Sequence, residues 1–261
     1  MRLKQKHSNT QEDWLRAWDD PYASGLTEEK LEELEQEAIH FIQDNVEGSV
    51  LCGHSFGKDS LVLYDLYKRA GYTKGIFGSN IWQFPSLLDY QSEHPEPDVM
   101  TLMSDKGWDW LVKQGVFSRS SDEYMGMHRT LNTNPINRYL DQNKVNTYVV
   151  GRRWADANNI PKSKIRYRGK HKTKVIHPIA EWSHEAILAY LKKYDIPLPD
   201  MYFMDSSGFE NGSNAWAIMN IKDRPENEIW ELLWKDEPKI VIEASKYFDG
   251  AKLIIEKRKE D

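Results

Sequence analysis

Apolar positions along this chain alternate between two spacings. Leu31, Leu34, Ala38, Ile39 and Ile42 repeat at helical intervals after Leu26-Thr27, and the stretch ends near Gly48. Thr27 is in place as an N-cap, with Lys30 where a capping box wants Glu. Residues 49–53 form a short apolar run, the mark of a buried strand, and Leu61, Val62, Tyr64, Leu66 and Tyr67 return to helical spacing up to Gly71. Further strands are expected at 75–78, 98–102 and 147–150, and helices at 85–93, 108–114, 184–194, 226–234 and 238–257. Strands alternating with helices predict a doubly wound parallel α/β sheet. Around it the expected parts are an N-terminal helical arm over 1–44 that docks through Trp14 and Trp18, the α/β domain itself over 45–203, and a C-terminal extension over 204–261.

Composition narrows the class. With 39% hydrophobic and 29% charged residues, the 261-residue chain is expected to be globular and water-soluble. Its net charge of -6 opposes nonspecific nucleic-acid binding by the molecule as a whole. Cys52 is the single cysteine, so no disulfide forms within the chain and no oxidising compartment is indicated. The first residues lack the apolar core of a signal peptide and no run approaches a membrane span, so a cytoplasmic location without membrane attachment is expected. The eight histidines show no zinc-site spacing.

The candidate chemistry lies where the first strand meets its helix, in Ser55-Phe56-Gly57-Lys58-Asp59-Ser60. Amides at a helix start, together with the helix dipole, favour a phosphate. Gly57 lets the backbone approach the anion, Lys58 adds charge, and Ser55 and Ser60 offer hydroxyls. Asp59 either holds the loop shape or binds a Mg²⁺ that bridges phosphates. A Walker A loop is excluded, since Cys52 stands where its first Gly belongs and Asp59 where Ser or Thr should follow the Lys. No G-x-G-x-x-G is present, which argues against a Rossmann dinucleotide site.

Ser55-x-Gly57-x-Asp59-Ser60 after a strand resembles the PP-loop of the ATP pyrophosphatase superfamily, whose fold is of the adenine nucleotide alpha hydrolase type. Within it the chain resembles the phosphoadenosine phosphosulfate (PAPS) reductase family over roughly residues 45 to 203. Phe84-Pro85, Gly151-x-Arg153, and His177-Pro178-Ile179-x-x-Trp182 followed by Ile196-Pro197-x-Pro199-x-x-Tyr202 come in that family's order. Departures accompany the matches. Ser79-Asn80-Ile81 replaces Asp-Thr-Gly, Phe56 replaces the second Gly of the loop, and Trp154 replaces an Arg. The sulfonucleotide reductases share a C-terminal nucleophilic cysteine, and no cysteine follows Cys52 here.

The resemblance implies binding of ATP or a related adenine nucleotide with Mg²⁺ and without an iron–sulfur cluster. It implies attack on the α-phosphate with release of pyrophosphate, and adenylyl transfer to an acceptor the sequence does not name. Lys58 and Arg153 are the implied catalytic groups. Ser55, Phe56, Gly57, Lys58, Asp59, Ser60, Ser79, Asn80, Gly151, Arg152 and Arg153 are the implied phosphate- and nucleotide-binding set. Two alternatives stay open: a PAPS- or adenosine phosphosulfate-using enzyme without its own catalytic thiol, and an idle nucleotide-binding module acting through a partner. A protein partner or a second copy of the chain is left open with them.

Lys162, Lys164, Arg166, Arg168, Lys170, Lys172 and Lys174 occupy every even position from 162 to 174. Alternate residues of an extended chain share a face, so one face is expected to carry all seven charges, with Gly169 able to fold the segment into a hairpin. The expectation is a clamp on a polyanion, nucleic acid included, or a lid over the nucleotide, against the plainer reading of a solvated loop. The turn-rich stretch from Asp205 to Trp216 either shapes an acceptor pocket or is a surface loop.

Overall fold

The computed structural model describes residues 3–4, 8–118, 126–204, 207–211 and 225–260. Short apolar runs become strands, and the longer periodic stretches become helices. In chain order these are α1 (Gln11–Asp19), α2 (Glu28–Asn45), β1 (Val50–Gly53), α3 (Lys58–Arg69), β2 (Gly75–Ser79), α4 (Pro85–Glu93), β3 (Val99–Met103) and α5 (Trp108–Lys113). They continue as α6 (Asn134–Gln142), β4 (Thr147–Val149), β5 (Ile165–Arg168), β6 (Thr173–Ile176) and α7 (His184–Lys193), closing with α8 (Glu226–Asp236), α9 (Pro238–Ala244) and α10 (Asp249–Glu260).

The strands form one sheet in the order β3-β2-β1-β4-β6-β5. β1 runs parallel to β2 and to β4, β4 runs parallel to β6, and β5 is antiparallel to β6. The chain leaves β1 toward β2 on one side and later returns to place β4 on the other. The loops after β1 and β4 therefore diverge at a switch point, where open α/β sheets bind ligands. Both faces are covered. A Cβ on Gly75 would lie 3.2 Å from the Tyr64 ring of α3, whereas one on Gly78, on the opposite side of the pleat, would meet the Asn132 carbonyl and Ile136. This is the doubly wound α/β fold of the adenine nucleotide alpha hydrolase type. Among the described residues no helix is long and apolar enough to cross a membrane.

Two compact units share the chain. The first comprises residues 1–77, 96–101 and 137–198, and the second comprises 78–95, 102–136 and 199–261. In the first unit, α2 buries Leu31, Ala38, Ile39 and Ile42 as its periodicity requires, with the Thr27 hydroxyl accepting from Lys30 N at 3.2 Å. Glu35 is buried with them and is compensated by Arg69 at 3.2 Å, Lys193 at 3.1 Å and the Tyr194 hydroxyl at 2.6 Å. An isolated buried carboxylate would be costly, and this one is surrounded by donors. Trp14 is 1% exposed, on a helix started by a Thr10–Asp13 capping box.

In the second unit the rings of Trp82, Trp108, Phe117, Trp230 and Phe248 pack edge to face or tilted, with centroids 4.8 to 6.3 Å apart. Phe84 cannot cap α4 with its side chain. The buried Glu237 carboxylate does so instead, accepting from the Ser86 amide at 3.1 Å and from the Ser86 hydroxyl. The single helix expected over 238–257 is two, α9 and α10, because Phe248 is drawn into the aromatic cluster. Helix α6 carries only a short apolar stripe, Ile136, Tyr139 and Leu140, at helical spacing.

Candidate functional site

The loop between β1 and α3 is shaped by its own side chains. The Ser55 amide donates to Ser60 Oγ at 3.1 Å, the two hydroxyls lie 3.1 Å apart, and Ser60 Oγ donates to the Gly57 carbonyl at 2.9 Å. Gly57 is the N-cap of α3, and no side chain caps that helix. Phe56 turns the loop with φ of +55°, a left-handed conformation that glycine adopts without strain and other residues adopt at a cost. Its ring compensates by packing edge-on to His54 at 4.2 Å and Phe77 at 5.3 Å. The Phe56 amide donates to His54 Nδ1 at 3.2 Å, which leaves the ring proton on Nε2. Burial pushes the His54 pKa down to about 3, with Lys68 adding to it, so the ring is neutral.

Lys58 is buried, and desolvation lowers its pKa while Asp59 works against that. Its ammonium lies 2.8 Å from Asp59 Oδ2 and 5.4 Å from the centre of the Trp14 ring. Asp59 Oδ1 lies 2.9 Å from Arg153 Nε. Arg153 is fully buried and also reaches Asp156 at 2.9 Å, His184 Nδ1 at 3.1 Å and the Trp182 carbonyl at 3.3 Å. A Cβ on Gly151 would sit 3.2 Å from the Asp59 carbonyl oxygen, so this glycine lets the segment after β4 pass against the start of α3.

The structure thus brings Ser55, Phe56, Gly57, Lys58, Asp59, Ser60, Gly151 and Arg153 together, with Arg152 exposed beside them. Each Asp59 oxygen faces a cation, so Asp59 as arranged does not fit a Mg²⁺ ligand, and its other expected role of holding the loop accounts for its contacts. Among the described residues no cluster of three or more His, Cys, Asp or Glu could hold a metal. Ser79 and Asn80 are buried in the second unit, where Asn80 Oδ1 accepts from Trp82 N at 2.7 Å and Nδ2 donates to Asn132 at 2.5 Å. Cys52 is fully buried in β1 and desolvation pushes its thiol pKa far up, which removes it as a nucleophile.

The basic segment is a hairpin, and its charges do not share a face. Gly169, Lys164 and Lys172 all have positive φ, which interrupts the extended alternation. Across β5 and β6, Arg166 pairs with Val175 and Arg168 with Thr173, whereas Tyr167 pairs with Lys174. Lys174 therefore points to the opposite face from the two arginines and bonds Glu47 at 2.6 Å, and Lys164 pairs with Glu181 at 3.2 Å. The expectation of seven charges on one face is corrected accordingly: two of them are spent on internal ion pairs. Of the turn-rich stretch from Asp205 to Trp216, only 207–211 lie within the described residues. The sequence did not reveal that Trp14 lies over Lys58, or that Asp156 and His184 hold Arg153. Only their spacing after Gly151 and Trp182 could have pointed to the latter two.

A doubly wound sheet with this loop at its switch point is consistent with the PP-loop superfamily. The chain belongs to the phosphoadenosine phosphosulfate reductase domain family, whose model matches residues 49–209. An adenosine 5'-phosphosulfate reductase of Deinococcus radiodurans is 24% identical over 160 residues, which cover 59% of this chain and 61% of that protein, less than two thirds of its length. Among solved structures, phosphoadenylyl-sulfate (PAPS) reductase from Candida auris in its phosphate complex gives a TM-score of 0.52 at 16% identity, covering 68% of this chain and 92% of that one. That likeness is one of fold. Family membership is consistent with nucleotide binding.

Proposed function

We propose that this chain is an enzyme that binds ATP at the β1–α3 loop and cleaves it at the α-phosphate. The observation that carries the reading is the uncapped start of α3 at the carboxyl end of β1, with Lys58 and the Ser55 and Ser60 hydroxyls beside it. An acceptor nucleophile attacks the α-phosphorus, the bond to the bridging oxygen breaks, and pyrophosphate leaves with Mg²⁺ that entered on the nucleotide. The chain's own work is to position the phosphates and stabilise charge on them. Lys58 acts directly, and the buried Arg153 acts by holding Asp59 and the loop. Thiol-based reduction has no support from Cys52.

A second reading is favoured by the family match itself: the physiological nucleotide is PAPS or adenosine phosphosulfate, used without a thiol of this chain. Calorimetry with each nucleotide, followed by product analysis with ATP and MgCl₂, tests both. AMP and pyrophosphate support the first reading. Tight binding of a sulfonucleotide with weak binding of ATP transfers the site to the second. Release of ADP and phosphate, or no binding of any adenine nucleotide, overturns the proposal.

A further inference from the structure

The outer edge of β3 carries an unpaired row of backbone groups. β3 ends the sheet beyond β2, and among the described residues no strand lies on its other side. The Asp98 carbonyl accepts from Gly75 N at 3.0 Å, and Ser104 N donates to the Ser79 carbonyl at 2.8 Å. The even positions of this stretch therefore turn their backbone groups toward β2, and by the alternation of a strand Val99, Thr101 and Met103 turn theirs outward. The Val99 amide is spent in a turn on the Glu96 carbonyl at 3.0 Å. The Val99 carbonyl and both groups of Thr101 and Met103 face the open edge.

Edges of this kind are normally blunted by a lysine, a proline or a covering segment, because they template pairing with another chain. β3 reads Val-Met-Thr-Leu-Met and has no buried residue, with Met100 38% and Met103 61% exposed. Its sequence is complementary to itself in reverse. Turned antiparallel about Thr101, each Thr101 faces its own copy and each Val99 faces the partner's Met103. The two threonines then exchange both backbone bonds, and each Met103 amide meets a Val99 carbonyl while the Val99 amide keeps its turn. Met100 comes beside the partner's Leu102, which covers both. Charge agrees with this direction. Glu96 and Lys106 stand equally far from Thr101, so the Lys106 end of one strand meets the Glu96 end of the other, whereas parallel pairing sets like against like. Glu96 bonds Lys68 at 3.0 Å and Lys106 bonds Asp105 at 2.9 Å, solvated pairs of small worth that do not bar a further partner.

We infer that the open edge of β3 is the seat of a second copy of this chain, paired antiparallel about Thr101 so that the two sheets join across a twofold axis. The inference goes beyond the α-phosphate reading and does not depend on it. It is tested by sedimentation of the full chain over a dilution series, with hydrogen exchange at the two ends of that series. A reversible dimer is expected, with the Thr101 and Met103 amides exchanging more slowly where the dimer is populated. Thr101→Pro removes an outward N–H that the parent sheet does not use, and Met103→Lys sets a charge on the edge. Each should weaken dimerisation at least about tenfold, since the twofold axis makes every loss count twice. Glu96→Lys and Lys106→Glu should each weaken it as well, and the double variant should recover.

A chain that stays monomeric up to about 1 mM overturns the inference. So does a dimer whose affinity is unchanged in both Thr101→Pro and Met103→Lys, because the copies would then meet elsewhere. If the double charge variant dimerises no better than the single ones, the antiparallel register is wrong and the inference falls with it. Met103 is exposed, so its variant keeps the test valid even if Thr101→Pro folds poorly. Failure of ATP to bind would sink the proposed function and leave the dilution series unaffected.

Discussion

Arg153 Nε lies 2.9 Å from Asp59 Oδ1, tying the end of β4 to the first turn of α3. The other Asp59 oxygen holds Lys58, so one carboxylate compensates a buried ammonium and a buried guanidinium. Such an arrangement costs desolvation and is stable only while all partners are present. It fixes the start of α3 before any ligand arrives, which is what a preorganised phosphate site requires.

Arg153→Ala should therefore act first on folding. Removing one partner of a buried ionic network typically costs about 3–5 kcal/mol, and Asp156 and His184 also lose a partner here. Urea denaturation should show that loss. A change under about 1 kcal/mol would mean the network is not structural.

Lys58→Ala and Ser60→Ala should each weaken ATP binding about ten- to a hundredfold, the worth of one charge-assisted contact at roughly 1.5–3 kcal/mol. Calorimetry on both variants is the measurement. Unchanged affinity in the pair would remove the nucleotide from this loop.

Phe56→Gly opposes two effects. It relieves a left-handed residue worth roughly 1–2 kcal/mol, and it deletes a buried ring, which costs about 3–5 kcal/mol. The ring wins, so the variant should be less stable by about 2 kcal/mol despite bringing a glycine to the turn. A Tm above that of the parent chain would show that the contacts with His54 and Phe77 contribute little.

His54 and His177 have folded pKa values of about 3 and about 4, below the unfolded value near 6.5. Between those limits the unfolded chain binds more protons, so stability rises with pH. The contribution is complete above about pH 6.5 and is lost as acid takes the pH down toward 4. Each ring adds a slope of up to about 1.4 kcal/mol per pH unit in that window. Urea midpoints at pH 7, 6 and 5 should fall accordingly and fall less steeply in His177→Asn, while a flat profile in the parent chain would contradict the buried neutral rings.

The elements that bury an apolar stripe could be read along the chain. β1, β2 and β4, the helices α2, α3, α4 and α7, and the loop before α3 all lie within a few residues of their expected places, as does β3, an edge strand without a buried residue. What escaped was decided by contacts remote in sequence. β5 and β6 are short and charged, and only their pairing shows that Lys174 and Arg166 part company. Helix α6 is a partial exception, since Ile136, Tyr139 and Leu140 stand at helical spacing in NPINRYLDQ, though the stripe is short. The break between α9 and α10 contains neither Pro nor an interior Gly and follows from where Phe248 packs. At the site, the loop residues were legible as a local motif, but the Asp59–Arg153 tie and the Trp14 ring over Lys58 needed the folded chain.

Cys52 sits with no exposed surface in the central strand, between β2 and β4. It is therefore a built-in clock. A colourless thiol reagent that turns yellow on reaction has nothing to attack until the middle of the sheet separates, and this chain supplies no second sulfhydryl to blur the signal. The rate at which colour appears, with and without nucleotide, would time how often the sheet behind the β1–α3 loop comes apart, in unmodified protein and without any introduced label.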